Sequence, residues 1–131
     1  MDRKTFTVEE ANEALPFVRR AIGEVQERMA WLASNRPEVR LMVPTFRIPF
    51  EAPVPPAYFA TLVRYNEALG EIGSLGCQVK DIRRGLVDFP SILSGKEVLL
   101  CWRAGEEKVG YYHEIDAGFA GRRPIPDTPD A

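Results

Sequence analysis

The sequence predicts an α+β fold: a short helix and two long antiparallel helices, with a small antiparallel β-sheet, the hairpin 97–115, packed at one end. Apolar residues first recur at alternating spacings of three and four, which is typical of a helix that buries one face. A second helical stripe follows a proline-rich stretch, and the C-terminal half contains short apolar runs separated by glycine. These patterns predict helices in the first part of the chain and strands in the second.

The N-terminal segment predicts a short helix over residues 8–14. Thr7 and Glu10 have the spacing of a capping box, in which each side chain bonds the backbone N–H of the other. Pro16 inside a continuous helix would cost about 3 kcal/mol, whereas at the first position of a new helix it costs little. We therefore expect a bend before Pro16 and a separate helix over residues 16–34.

The helix 16–34 carries an apolar seam of the coiled-coil type. The seam consists of Leu15, Val18, Ile22, Val25, Met29 and Leu32. A pair of helices covers only one side of such a seam, so a second copy of the chain is a natural partner. The seam therefore predicts a homodimer.

Residues 36–55 are rich in proline, which excludes a helix, but they are too apolar for a solvated linker. Two interpretations remain open: an extended arm that packs on its own domain or on a second subunit, or a loop folded over the core. A second long helix is expected over residues 56–75, before Gly76. Its apolar stripe consists of Tyr58, Leu62, Tyr65, Leu69 and Ile72.

Residues 77–116 have the character of a β region. A short strand is expected at 78–82 and a turn-rich segment with an apolar anchor at 85–90. The buried-type strand 97–103 and a returning strand 109–115 then form the hairpin, joined by a loop that contains glycine.

The hairpin loop fixes an expected pairing between the two strands. It places Leu99 opposite His113 and Cys101 opposite Tyr111. Because strand side chains alternate between faces, these four side chains are expected to share one face of the sheet.

The size and composition are those of an ordinary globular domain. The 131 residues fit a single domain over 1–131, with 45% hydrophobic and 27% charged residues. Prolines near the C-terminus predict a disordered tail over about 124–131. The net charge of −2 gives no overall field that would attract nucleic acid or an anionic membrane.

The sequence also predicts a cytoplasmic location. No apolar run approaches the ~20 residues that a membrane-spanning helix needs. The N-terminus has no apolar segment of the kind found in secretory signals. Without export, Cys77 and Cys101 are expected to be reduced thiols, and their spacing matches no metal motif.

His113 is the only histidine and so the only imidazole available for proton transfer near pH 7. Asp116 and Asp88 are candidates to orient it catalytically or to join it around a divalent metal. A zinc site would take His113, Cys101 and one or two carboxylates. A structural histidine with satisfied nitrogens is the simpler interpretation, and it requires no cofactor. A nucleophilic pair of Cys101 and His113 is disfavoured, because apolar surroundings raise the pKa of a thiol.

Arginines near glycines form a second group of candidates. Arg122 and Arg123 follow Gly121, and Arg84 precedes Gly85. Guanidinium groups on such loops could clamp a carboxylate or a phosphate of a ligand. The alternative is that all three are solvated surface side chains.

Seven short segments together resemble one family of small prokaryotic proteins, the domain-of-unknown-function family 2203. The segments are residues 6–12, 15–16, 79–81, 85–90, 97–103, 112–114 and 118–122. The resemblance spans nearly the whole chain. It implies a compact bacterial domain with no assigned activity, and it carries over no catalytic residues.

Two functions from different classes follow from these features. One is a non-catalytic interaction or assembly module, dimeric, which binds a protein partner. The other is a small-ligand or divalent-metal-dependent enzyme with its site around His113 at the end of the sheet. The first is preferred because no strong catalytic motif is present. Convergence of His113 and carboxylates in a pocket would favour the second.

Overall fold

The computed structural model describes residues 4–35 and 56–126. These residues form two helices and five strands, with a 3-10 turn, Phe119–Gly121, before the last strand. The elements are α1 (Val8–Asn35), α2 (Pro56–Ser74), β1 (Gln78–Asp81), β2 (Leu86–Leu93), β3 (Lys96–Arg103), β4 (Tyr111–Glu114) and β5 (Arg123–Pro124). The expected arm 36–55 lies outside the described residues, as do residues 127–131 of the expected tail. Neither helix of the described chain is long and apolar enough to cross a membrane.

The α+β class is confirmed, but the expected short N-terminal helix is wrong, because α1 continues through Pro16. The capping box is present: Thr7 N–H donates to Glu10 Oε1 at 2.9 Å, and Glu10 N–H to Thr7 Oγ1 at 3.0 Å. Buried apolar side chains lie on both sides of Pro16 in one core. Each such side chain contributes about 1.5–3 kcal/mol, so together they outweigh a proline cost of about 3 kcal/mol.

The expected small hairpin sheet is also wrong, because the sheet has five antiparallel strands in the order β1-β2-β3-β4-β5. The turn-rich segment expected at 85–90 is instead most of β2. This strand pairs with β3 along its whole length, from Leu86 opposite Arg103 to Leu93 opposite Lys96. The two strands are joined through Ser94 and Gly95, at φ 52° and φ 77°. Two positive φ values are the signature of the tight hairpin turn that suits the twist of the sheet.

The expected pairing between the strands of the hairpin is confirmed. Leu99 is opposite His113, and Cys101 is opposite Tyr111. The register followed from the loop length and the period-two alternation of the two strands.

The two helices are antiparallel neighbours. Trp31 of α1 lies against Tyr58 of α2, with ring centroids 6.0 Å apart. About two helical turns earlier along α1, Glu24 accepts two hydrogen bonds of 2.7 Å from Arg64. This guanidinium holds the pKa of Glu24 below its usual range. The ion pair thus fixes the two helices side by side.

The apolar seam of α1 is divided between two partners in the same chain. Its N-terminal half, including Leu15, Val18 and Ile22, packs against the sheet. Its C-terminal half, including Val25 and Leu32, packs against α2. These five residues are at most 2% exposed. Since these residues are buried within one chain, the seam by itself does not indicate a homodimer.

Replacing Pro16 with alanine should stabilise the protein. Pro16 is exposed in the interior of α1 and lacks the N–H that a helix uses. We expect Pro16→Ala to raise the free energy of unfolding by about 1–3 kcal/mol in urea denaturation. The exposed Arg20→Ala of the same helix is the control and should change stability little. A loss of stability in Pro16→Ala would contradict this expectation and show that α1 needs the proline.

Asn12 should be required for the docking of α1 on the segment before β4. Its Oδ1 accepts a hydrogen bond of 2.8 Å from the N–H of Val109, and its Nδ2 donates to the Val109 carbonyl at 3.3 Å. We expect Asn12→Ala to lower the free energy of unfolding by about 1–2 kcal/mol. Asn35→Ala is the matched control, because the side chain of Asn35 donates to the carbonyl of Trp31 within its own helix. Equal effects of the two substitutions would refute the role of Asn12.

Candidate metal centre

Three neighbouring strands bring Asp88, Cys101 and His113 to one face of the sheet. Asp88 of β2 is paired directly with Cys101 of β3. His113 of β4 is paired with Leu99, two residues before Cys101 on β3. Because side chains alternate along a strand, the three project from one face, and we name them the ligand cluster. Their neighbours project from the other face and pack on α1: Val87, Phe89, Leu100 and Trp102.

Two hydrogen bonds hold the imidazole of His113. Nδ1 lies 2.7 Å from the backbone carbonyl oxygen of Glu114, and Nε2 lies 3.0 Å from Oδ2 of Asp88. A carbonyl oxygen only accepts, so we assign a hydrogen to Nδ1, and Nε2 faces the carboxylate. One donor atom of Asp88, one of Cys101 and one of His113 all lie within 4.8 Å of one another. The three residues are 2%, 1% and 3% exposed, respectively.

Burial governs the protonation of the two acidic members of the ligand cluster. It raises the pKa of Asp88, while the nearby charges of His113 and Lys80 act in the opposite direction. It also raises the pKa of Cys101 to about 12, and Asp88 adds to that rise. Cys101 is therefore a neutral thiol at pH 7, which is a poor nucleophile. The chemistry thus argues against a Cys101–His113 nucleophilic pair.

The second oxygen of Asp88 is buried without a partner. Within the described part of the chain, Oδ1 accepts no hydrogen bond. Buried polar atoms nearly always have a partner, and leaving one unsatisfied costs about 1–3 kcal/mol. A hydrogen-bonding contact with the Cys101 thiol lowers the pKa of the same carboxyl group, and Oδ1 is the one side-chain oxygen of Asp88 without a partner among the described residues.

A pocket of about 200 Å³ opens beside the ligand cluster. Besides the cluster itself, its lining includes the charged side chains of Lys80 and Arg84 and the apolar side chains of Ile115 and Phe119. The site therefore combines buried ligand atoms with space for a small molecule.

The candidate site residues of the sequence do not all converge. His113 and Asp88 are in contact, as the catalytic and metal-binding candidates require. Asp116 is exposed and is not one of the three residues whose ligand atoms converge. It follows β4, where the alternation that aligns the cluster has ended. Of the zinc ligands considered from the sequence, His113 and Cys101 thus converge with Asp88 as the carboxylate.

The three candidate arginines each have a carboxylate partner. Arg122 donates to Glu106 at 2.8 Å and to the carbonyl of Cys101 at 3.3 Å. Its guanidinium lies 3.9 Å from the ring centre of Tyr111 and 4.7 Å from that of Phe119. Arg122 thereby connects β3 to the chain that covers the ligand cluster.

The other two arginines differ in their surroundings. Arg123 is exposed and donates to Glu114 at 3.0 Å. Arg84 donates to Asp81 at 3.1 Å, but it still reaches the lining of the pocket. Arg84 and Arg122 thus contact the same Phe119 ring, at 5.3 Å and 4.7 Å from its centre, while Arg123 pairs with Glu114.

Lys80 is a pocket residue that the sequence patterns did not single out. It lies on the edge strand β1, two residues after Gln78, which is paired with Asp88. The register of β1 shifts between Val79 and Asp81, which interrupts the alternation of side chains at Lys80, so its position could be deduced only from the pairing of β1 with β2. The missing signal was therefore the existence of β2.

The fold and site define an α+β protein whose antiparallel sheet carries a buried cluster of one aspartate, one cysteine and one histidine. The chain belongs to the domain-of-unknown-function family 2203, described as an uncharacterised conserved protein; the family model matches residues 4–125. This confirms the resemblance inferred from the sequence. Neither the curated proteins nor the solved structures include a significant match.

Proposed function

We propose that the protein binds one zinc ion, or a similar divalent transition metal, through Asp88, Cys101 and His113. The observation that carries the proposal is the convergence of their three donor atoms within 4.8 Å in a buried site. Exposed acidic groups often cluster without a metal, but these three side chains are almost completely buried. The unpartnered Oδ1 of Asp88 supports the same assignment.

The ligand types favour zinc over magnesium or calcium. Zinc accepts nitrogen, sulfur and oxygen ligands, whereas magnesium and calcium prefer oxygen alone. The carboxylate and a thiolate would together balance the two positive charges of the ion. Metal-bound histidines commonly donate their other ring N–H to a carbonyl or carboxylate, as Nδ1 of His113 does to Glu114.

Three protein ligands leave one position of a tetrahedral zinc ion open. Structural zinc sites generally use four protein ligands, while catalytic sites use three and keep one position for water or substrate. The adjoining pocket gives that position access to a small molecule. We therefore propose a small-ligand enzyme that activates water or a substrate oxygen at the metal.

Cobalt substitution tests the metal site directly. One equivalent of Co²⁺ added to the protein should give the visible bands of a tetrahedral site with a thiolate ligand, and native mass spectrometry should give one metal per chain. Cys101→Ser should lose the thiolate-to-cobalt band, and His113→Ala should lose the metal, because each removes a donor atom. The buried Cys77→Ser is the matched control and should keep both signals.

Metal should also stabilise the folded chain. At zinc concentrations about 100-fold above the dissociation constant, the free energy of unfolding rises by about 2.7 kcal/mol. A chelator should reverse the gain. A folded wild-type protein that takes up no metal, or a thiolate band that persists in Cys101→Ser, would refute the proposal.

A dimeric protein-interaction module is the second candidate function. Three aromatic side chains of the helices favour it, because they are more than a third exposed: Phe17 (37%), Trp31 (39%) and Phe59 (43%). Aromatic residues are enriched at protein interfaces. The test is light scattering after size-exclusion chromatography: we expect a dimer mass for the wild type and a monomer for Trp31→Gln. A monomeric wild type would refute the homodimer.

A further inference from the structure

We infer that the pocket beside the ligand cluster binds a small organic carboxylate, with one carboxylate oxygen on the metal and Lys80 as its cationic partner. The inference rests on the proposed metal site and names the ligand class for its open position. It follows from the charges around the pocket, the surroundings of Lys80 and the size and polarity of the lining.

Lys80 is the cation of the pocket lining that forms no ion pair with a carboxylate of the described residues. Among the described residues no carboxylate forms an ion pair with Lys80, whereas the second cation of the lining, Arg84, is bonded to Asp81. Lys80 is close enough to the ligand cluster that its charge acts on Asp88. It is therefore placed to bind an anion that enters the pocket.

The total charge of the loaded site favours a monoanion. A zinc ion with a thiolate, a carboxylate and a neutral imidazole has no net charge. Arg84 and Asp81 neutralise each other at 3.1 Å, as do Arg122 and Glu106 at 2.8 Å. One positive charge then remains, on Lys80. A carboxylate balances it, whereas a phosphate dianion would leave an excess negative charge in a partly closed pocket.

The pocket also limits the size and character of the ligand. Its volume of about 200 Å³ lies below the roughly 300–1,000 Å³ typical of sites for drug-sized molecules. Leu86, Ile115 and Phe119 supply apolar lining beside the charged residues. The lining thus suits a carboxylate with a short apolar substituent.

The test is a titration of the cobalt-loaded protein with acetate, followed through the visible cobalt bands. Acetate should shift the bands saturably, because it enters the coordination sphere. Acetamide at the same concentration should not, since it has no charge for Lys80. We expect Lys80→Gln to keep the cobalt bands and weaken acetate binding about tenfold. The exposed Lys108→Gln removes an equal charge away from the pocket and should bind acetate like the wild type.

The outcomes separate the two proposals. Cobalt bands that acetate does not change would overturn the carboxylate site and leave the metal site intact. Unchanged acetate affinity in Lys80→Gln would overturn the role of Lys80. Inorganic phosphate that binds more tightly than acetate, with the same dependence on Lys80, would overturn the choice of a carboxylate. Absence of cobalt bands in the wild type would overturn the metal site and this inference together.

Discussion

The structure depends on the burial of both faces of the central strands β2 and β3. Residues 86–89 of β2 and 98–102 of β3 are all buried, although alternate side chains point in opposite directions. One face is apolar and packs on α1. The other carries Asp88, Cys101 and, from β4, His113, and it is closed by the chain between β4 and β5. Because Asp88, Cys101 and His113 are almost completely buried on this second face, each needs a partner or a ligand.

The sequence allowed some parts of the fold to be predicted from local rules. The spacing of strand residues around a short loop was enough to pair Leu99 with His113, so Cys101 and His113 could be placed on one face in advance. The capping box of Thr7 and Glu10 could also be predicted from the local sequence alone. Pro16 led to the wrong prediction of a helix boundary, because the free-energy cost of a proline is evident from the local sequence. The compensating burial of apolar side chains along α1 depends on tertiary contacts instead.

Strand β2 could not be predicted because glycine and proline commonly end strands, and Gly85 and Pro90 therefore indicated a turn-rich segment. β1 covers β2 only as far as Asp88, so at Pro90 the strand is an edge on that side, where the missing N–H costs little. The carbonyl of Pro90 instead accepts a hydrogen bond from Phe6 at 2.7 Å. Without β2, neither the contact of Asp88 with Cys101 nor the position of Lys80 could be deduced. Asp88 and Asp116 therefore remained equal candidates to accompany His113.

The arrangement around His113 explains why a metal fits the ligand cluster better than a buried ion pair does. The carbonyl of Glu114 fixes a hydrogen on Nδ1, so the contact between Nε2 and Asp88 requires a second proton shared by the pair. The neutral thiol of Cys101 holds another proton beside them. A bound zinc ion would replace both protons, since the imidazole, carboxylate and thiolate would then act as its ligands. The metal would also provide a full positive charge for the buried carboxylate of Asp88. A single proton shared with His113 leaves Oδ1 of that carboxylate without a hydrogen-bond donor. The proposed metal would thus satisfy at once the three groups that the double burial of the sheet has removed from water.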